Sequence, residues 1–122
     1  MPIVPVVLTF NGKSVKTIAL IDSGSSSTII STEIAEQLSI PWRSLPEFSG
    51  GSVAGEYSFR RVRNGIIEIA QTNGPQLTAA FDIVKVKFPF PCLLGQDFFE
   101  YTKITFERHK KSFEIKFRED IN

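Results

Sequence analysis

The chain is organised around the stretch Leu20-Ile21-Asp22-Ser23-Gly24-Ser25, and further hydroxyl residues follow it through Thr28. An apolar run that ends in Asp-Ser-Gly predicts a carboxylate at the point where a buried strand breaks into a tight turn. Gly24 would tolerate a positive φ there and would let backbone N–H groups approach whatever the carboxylate faces. An aspartate at the end of an apolar strand must either have hydrogen-bond partners or take part in the function of the protein. The tripeptide alone also fits a solvated Asx-type turn, so its meaning depends on the rest of the chain.

Length and composition predict one domain over residues 1–122. The chain is 42% hydrophobic and 22% charged, which is ordinary for a soluble globular protein. A formal net charge of +1 gives no electrostatic reason to expect a nucleic acid or a membrane as partner. Cys92 is the single cysteine, so an internal disulfide is impossible and an intracellular, reducing compartment is expected. The sequence predicts neither a membrane span nor a secretory leader.

Alternating apolar residues, punctuated by turn residues, predict an all-β, barrel-like fold with about seven short strands. Asn11-Gly12 and Asn64-Gly65 are read as hairpin turns, and a last hairpin is expected around His109-Lys110. The predicted strands are Ile3–Phe10, Val15–Ile21, Tyr57–Val62, Ile66–Ile69, Leu77–Val86, and two strands carrying Ile104 with Phe106 and Phe113 with Ile115 and Phe117. Short helices are predicted at Ser31–Leu38, with Ser31 as N-cap, and at Gln96–Tyr101.

A polar segment between Arg43 and Gly55 contains Ser49-Gly50-Gly51-Ser52 at its middle. Two adjacent glycines between Phe48 and Val53 suggest a mobile hairpin tip or loop. An ordinary flexible connection explains the same residues.

Several kinds of chemistry are disfavoured by the residues present. One histidine, His109, and one cysteine, Cys92, give zinc no matching ligands. Serine hydrolysis lacks a base, because His109 falls in a charged turn, and Cys92 lies in an apolar run where it is expected to be buried and inert. The hydroxyl-rich turn lacks the lysine of a phosphate-binding P-loop. No metal or cofactor is therefore expected.

Acid–base catalysis by carboxylate groups is the kind of chemistry that the residues favour. Two carboxylates about 3 Å apart share one proton, so one can activate water while the other polarises a carbonyl. No other aspartate of this chain is followed by Ser/Thr-Gly. A two-fold dimer would supply the second carboxylate, because an isologous interface sets a residue opposite its own copy. If Asp22 is catalytic, the protein must be a homodimer.

The chain resembles the retropepsin-like (retroviral and retrotransposon-type) aspartic proteases. The resemblance rests on Leu20–Ser25, on Ser49–Gly55, and on Cys92-Leu93-Leu94-Gly95-Gln96-Asp97-Phe98-Phe99. These segments resemble, in order, the catalytic loop of the family, its flap, and the apolar segment that passes behind the loop into a short helix. The implied fold is a small closed acid-protease barrel that works as a two-fold homodimer, and the implied partner is an extended peptide or polyprotein substrate.

The resemblance also implies roles for individual residues. Asp22 and its dimer mate would bind the attacking water, Ser23 would hydrogen-bond across the two-fold axis, and Gly24 would present its backbone to substrate. The residues implied in substrate binding are Ser25, Ser26, Gly50, Gly51, Ser52, Phe90, Pro91 and Leu93. Gly50, Gly51 and Ser52 would form or flank the flap tip. Leu94 and Gly95 would support the loop from behind.

The sequence departs from many viral members at two positions. Those members pair an aspartate two residues beyond the catalytic glycine with an arginine just after the second glycine, whereas Ser26 and Gln96 stand here. The ionic brace of viral dimers is therefore missing, although no unpaired buried charge is left behind. The chain also continues past its short helix into Thr102–Phe117, so the form of the dimer interface is left open.

A second hypothesis is a catalytically weak or inactive protease-like module for dimerisation or peptide binding. The missing brace favours this alternative. The intact Asp-Ser-Gly argues against it, because such a module has no physical need for two opposed carboxylates that repel each other.

Overall fold

The computed structural model describes residues 3–22, 24–52, 55–70, 74, 76–85, 90–99, 102–107 and 112–117. The strands in these residues are β1 (Ile3–Phe10), β2 (Lys13–Ile21), β3 (Thr28–Ser31), β4 (Glu47–Ser52), β5 (Gly55–Ile69), β6 (Leu77–Val84), β7 (Cys92–Leu94), β8 (Thr102–Glu107) and β9 (Ser112–Phe117). The helices are α1 (Thr32–Gln37), a short 3-10 helix at Trp42–Ser44, and α2 (Gln96–Phe99).

The main sheet closes on itself and forms a barrel. Its strand order is β1-β2-β7-β3-β6-β5-β4, and β1 pairs with β5 as well as with β2. The other six strands of this sheet therefore form a closed ring, and β4 is attached outside the ring through its pairing with β5. Strands β8 and β9 form a separate two-stranded sheet. The contacts β2–β7 and β3–β6 are parallel, and the other pairings are antiparallel. The predicted all-β barrel with two short helices is confirmed.

The first hairpin forms as the sequence predicts. Asn11 and Gly12 connect β1 to β2 with φ values of 50° and 86°, which is the left-handed geometry that a two-residue hairpin turn requires. Phe10 pairs with Lys13 across this turn. Alternate residues of β1, namely Val4, Val6 and Leu8, point into the core.

The predicted hairpin at Asn64-Gly65 is wrong. Residues 55–69 form the single strand β5, and its residues 60–62 and 65–67, on either side of Asn64, both pair with β6. The register shifts between Val62, opposite Phe81, and Gly65, opposite Ala79. One extra residue is thus accommodated on β5 as a bulge, and Asn64 has a φ of 65° within it. Sequence signals for a bulge and for a tight hairpin coincide here, because both favour Asn and Gly.

Helix α1 begins where the sequence predicts. The Ser31 hydroxyl accepts a hydrogen bond from the backbone N–H of Ile34, which is the N-cap interaction. Ile34 and Ala35 face the core. Helix α2 ends at Phe99, and Tyr101, the end of the predicted segment, lies outside the described residues.

Three short strands were not expected from the sequence: β3, β4 and β7. Each is defined by its pairing partners in other parts of the chain, which an alternation pattern does not reveal. The last hairpin is confirmed, because Ile104 pairs with Ile115 between β8 and β9. His109 and Lys110, which were predicted at its turn, lie outside the described residues, as does Val86 at the predicted end of β6.

The barrel interior holds the main hydrophobic core. Its most deeply buried side chains include Val6, Leu8, Ile30, Ile67, Phe81 and Leu94. A second, smaller cluster consists of Leu20, Ile29, Val84 and Leu93. Among the residues described, no helix has the length and apolar character needed to cross a membrane.

Gly65 gives a test of core packing. A Cβ at this position would lie 2.5 Å from Cε2 of Phe81, whose ring is fully buried. We expect Gly65→Ala to lower the free energy of unfolding by about 1–3 kcal/mol through overpacking. The double variant with Phe81→Leu should lose less than the sum of the two single losses, because the smaller side chain makes room for the added methyl group. Urea unfolding of both single variants and the double variant measures the effect, and strictly additive losses would contradict the predicted clash.

Candidate active site

The Asp22 turn, residues 22–28, begins directly after the last residue of β2. The backbone N–H of Asp22 donates to the carbonyl of Leu94 at 3.0 Å, and the N–H of Ser25 donates to the carbonyl of Asp22 at 3.2 Å. The Asp22 side chain is partly buried, and its Oδ1 accepts a hydrogen bond of 2.9 Å from the N–H of Gly24. This is the local geometry of an Asx turn, which is one of the two interpretations that the sequence allowed for the tripeptide.

Gly24 lies close to the side chain of Asp22. A Cβ at Gly24 would lie 3.1 Å from Oδ1 of Asp22, so a side chain there would press on the carboxylate that its own N–H holds.

The segment from β7 into α2 holds the turn from behind, as the resemblance implies for Leu94 and Gly95. Besides the Leu94 carbonyl, the N–H of Gln96 donates to the carbonyl of Ser25 at 2.8 Å. A Cβ on Gly95 would lie 2.6 Å from the carbonyl carbon of Ser27 and 2.8 Å from the carbonyl oxygen of Ser25. Both are backbone atoms that cannot rotate away, so only glycine fits between the two segments.

Three hydroxyl groups of the turn, those of Ser25, Ser27 and Thr28, donate hydrogen bonds within the chain. Ser25 Oγ donates to the carbonyl of Ser27 at 2.7 Å. Thr28 is fully buried, and both its N–H and its Oγ1 donate to the carboxylate of Asp97, at 3.2 Å and 2.9 Å. These hydrogen bonds therefore stabilise the turn and attach it to Asp97 of α2.

Asp82 and Arg61 belong to this arrangement, and sequence reasoning gave them no role. Asp82 in β6 is only 1% exposed. Its carboxylate accepts hydrogen bonds from Ser27 Oγ at 2.7 Å, and from Nε and Nη2 of Arg61 at 2.6 Å and 2.9 Å. The hydrogen bond from Arg61 to Asp82 raises the pKa of Arg61, so the guanidinium stays charged. A signal existed in the sequence: an aspartate inside the apolar run of β6 needs a partner.

Two of the predicted substrate-binding residues come together in an apolar wall. We use this name for Leu20, Ile29, Val84 and Leu93, against which Tyr57, Phe59 and Phe90 pack. Leu20 lies two residues before Asp22, and Leu93 pairs with Leu20 in the sheet. The wall is therefore continuous with the end of β2 that carries the carboxylate.

The glycine segment predicted as a hairpin tip or flexible loop is strand instead. Gly50, Gly51 and Ser52 lie in β4 and pair with Tyr57, Glu56 and Gly55 of β5. We call this the β4–β5 hairpin. A Cβ at Gly50 would lie 3.1 Å from the Phe59 ring, so this glycine lets the backbone rest on aromatic side chains. Val53 and Ala54, between the strands, lie outside the described residues.

The remaining predicted site residues occupy different surroundings. Ser26 is exposed, and Pro91 is partly buried with its carbonyl accepting from the N–H of Ser31 at 3.0 Å. Pro91 is thus tied to the connection between β3 and α1. Ser23, predicted to bond across a two-fold axis, lies outside the described residues.

The thiol of Cys92 is fully buried in β7, as expected. Burial, with a smaller contribution from the charge of Asp97, raises the pKa of Cys92 to about 12. A nucleophilic cysteine needs a thiolate, so this thiol is not a catalytic candidate. Within the described part of the chain, no three side chains of His, Cys, Asp or Glu come together to hold a metal ion.

A cavity of about 250 Å³ lies at the base of the β4–β5 hairpin. Its lining residues are Thr32, Trp42, Glu47, Ser58, Phe59, Arg60, Ile83 and Lys85. All of these lie outside the Asp22 turn. The Asp22 carboxylate therefore does not line this cavity.

Gly95→Ala tests the contact behind the turn. We expect it to lower the free energy of unfolding by more than about 4 kcal/mol, because two backbone segments would have to separate. Gly12→Ala is a matched control: its Cβ would meet nothing within 4 Å, and its positive φ alone predicts a loss of about 1–2 kcal/mol. Urea unfolding measures both variants, and equal losses would contradict the assignment.

The chain is similar to known aspartic proteases in sequence and in fold. The family described as "gag-polyprotein putative aspartyl protease" matches residues 6–101. The crystal structure of a retropepsin-like aspartic protease from Rickettsia conorii superposes with a TM-score of 0.64 at 16% sequence identity, covering 94% of this chain and 97% of the other. No curated protein sequence matches significantly. The match spans most of the chain, including the Asp22 turn and the β7–α2 segment behind it, and this chain therefore belongs to the gag-polyprotein aspartyl protease family, with a retropepsin-like fold.

Proposed function

We propose that this chain is an aspartic endopeptidase in which Asp22 and the Asp22 of a second copy activate a water molecule at a homodimer interface. The observation that carries the proposal is the position of Asp22. Its carboxylate stands at the end of a barrel strand, in a turn fixed by Leu94, Gly95 and Gln96, beside the apolar wall. Family membership and the retropepsin-like fold support the same reaction class.

One chain supplies half of this site. Water activation by paired carboxylates needs one ionised and one protonated group close together. The ionised carboxylate takes a proton from water as its oxygen attacks the peptide carbonyl carbon, and the protonated partner donates to the carbonyl oxygen. Collapse of the tetrahedral intermediate returns a proton to the leaving amine. Gly24 would present backbone to the peptide, and Ser23 would link the two turns across the axis.

The substrate is proposed to be an extended segment of a protein or polyprotein. The apolar wall supports a preference for apolar side chains next to the scissile bond, with Phe90 and Leu93 as lining residues. Pro91, Ser25 and Ser26 complete the proposed contacts along the peptide, and Gly50, Gly51 and Ser52 in the β4–β5 hairpin would cover it. Closure of such a hairpin would exclude water from the reacting groups.

Asp22→Asn is the direct test of the proposed catalytic group. The amide keeps the shape of the side chain and an oxygen for the Gly24 N–H, but it cannot take a proton from water. We expect the cleavage rate of a pooled peptide library, followed by mass spectrometry at acidic to mildly acidic pH, to fall by roughly 10³-fold or more.

Glu36→Gln is the matched control, because it neutralises an exposed carboxylate on α1 that pairs with Arg43. It should cleave at the wild-type rate. Full activity of Asp22→Asn would overturn the proposal. Peptide binding by the wild-type chain without turnover, insensitive to a statine-type inhibitor, would instead support the inactive module.

A mixing experiment tests the shared site. When wild-type chains are equilibrated with a threefold excess of Asp22→Asn chains, random pairing leaves about one quarter of the wild-type chains in wild-type dimers. Activity should therefore fall about fourfold, and specific activity of the wild type alone should rise with concentration as the dimer fraction grows. Solution mass measured at the same concentrations checks the pairing. Unchanged activity after mixing would show that a single chain is sufficient.

A further inference from the structure

Arg61, Asp82 and Ser27 form a hydrogen-bonded chain between two parts of the proposed site. Ser27 belongs to the Asp22 turn, Asp82 to β6 and Arg61 to β5. We propose that Arg61 and Asp82 are positioning residues: through Ser27 they hold the exit of the Asp22 turn and tie it to the β4–β5 hairpin. This inference rests on the proposed peptidase function, because it assigns these residues a part in that reaction.

The path extends from Arg61 into the hairpin through aromatic rings. The guanidinium carbon of Arg61 lies 5.1 Å from the centre of the Phe59 ring. The Phe59 ring stacks on Phe48 of β4 at 5.7 Å and contacts Tyr57 at 5.9 Å. Tyr57, Phe59 and Arg61 are alternate residues of β5, so they share one face of the strand. A continuous series of contacts therefore joins β4 to the Asp22 turn.

Burial of Asp82 strengthens this connection at one end. The Asp82 side chain is 2% exposed and the Arg61 side chain is 37% exposed, and both oxygens of Asp82 accept hydrogen bonds from Arg61. A buried carboxylate gains by keeping all of its charge-assisted hydrogen bonds, since water cannot replace them. The Ser27 hydroxyl shares Oδ2 with Arg61. Displacement of Arg61 with the hairpin therefore has to move the acceptor that Ser27 uses.

Ser27→Ala is the most selective variant, because it removes one hydroxyl and leaves the Arg61–Asp82 ion pair intact. We expect amide hydrogen exchange in residues 22–28 to become about fivefold faster, which corresponds to one hydrogen bond of ordinary net strength. We also expect kcat for peptide cleavage to fall about fivefold, because the turn carries the reacting group. KM should change less than kcat, because Phe90 and Leu93 of the proposed apolar subsites lie outside the turn.

Ser31→Ala is the matched control. It also removes one serine hydrogen bond, the 3.1 Å cap of α1, and it should lower stability by a similar amount. Exchange in residues 22–28 and kcat should keep their wild-type values in this variant. Equal effects of the two substitutions would overturn the inference, because general destabilisation would then explain both.

A double variant, Arg61→Met with Asp82→Leu, tests the link to the hairpin without leaving a buried charge. Exchange should become faster in residues 22–28 and in residues 47–59, and kcat should fall at least as far as in Ser27→Ala. Arg61→Lys, which keeps the charge but loses the bidentate geometry, should fall between the wild type and the double variant.

If Ser27→Ala has the same hydrogen-exchange rates and the same kcat as the wild type, the positioning role is overturned, even if the double variant does not fold. The exchange measurements do not depend on catalysis. Active enzyme in which the turn and the hairpin exchange independently of these residues would therefore overturn this inference alone. A wild-type chain that cleaves no peptide would overturn the proposed function, and the positioning role with it.

Discussion

The fold around the candidate site depends on the close approach of two backbone segments at Gly95. The Asp22 turn passes so near the β7–α2 segment that a single methyl group at Gly95 would lie 2.8 Å from the carbonyl oxygen of Ser25. This proximity permits the hydrogen bonds from Asp22 to Leu94 and from Gln96 to Ser25. The position of the Asp22 carboxylate is therefore fixed by main-chain atoms, which have little freedom, and not by the packing of its own side chain.

Polar groups complete what the backbone contact begins. Asp97 takes two hydrogen bonds from Thr28, and Asp82 takes one from Ser27. Two buried or partly buried carboxylates thus hold the end of the turn from the β7–α2 side and from the β6 side. Their cost of burial is offset because each meets several donors. The positions occupied by the ionic brace in many viral relatives are Ser26 and Gln96 here, and this intrachain network holds the same turn by different residues.

Much of the architecture could be predicted from local sequence. The β1–β2 hairpin follows from Asn11-Gly12, the start of α1 from the Ser31 cap, and the candidate carboxylate from the apolar run before Asp22. The Asn64-Gly65 hairpin was wrong, because Asn and Gly suit a bulge within a long strand as well as a turn between two strands. The strands β3, β4 and β7 were missed, because their pairing with distant segments decides their conformation.

The hydrogen-bonded network of Ser27, Arg61 and Asp82 could not be predicted from local sequence patterns, for the same reason. Residues 27, 61 and 82 meet because β3, β5 and β6 are neighbours in the barrel, and that strand order is a property of the whole chain. The sequence does show that Asp82 stands in an apolar strand and needs a partner. It does not show that Arg61 is the arginine that pairs with Asp82. It also does not show that Ser27 of the Asp22 turn donates to the same carboxylate.

The burial of Cys92 links the chemistry of sulfur to the integrity of the site. This residue lies in β7 between Ala19 of β2 and Ile30 of β3, two residues before the Leu94 carbonyl that holds Asp22. Oxidation to a sulfenic acid requires a thiolate and space for an added oxygen, and a close-packed barrel provides neither. Because this sulfur is buried, we expect peroxide to reach it only after β7 has separated from its neighbours. An oxidised Cys92 would thus mark molecules in which the support behind the carboxylate had already come apart, and its added bulk would keep β7 from returning.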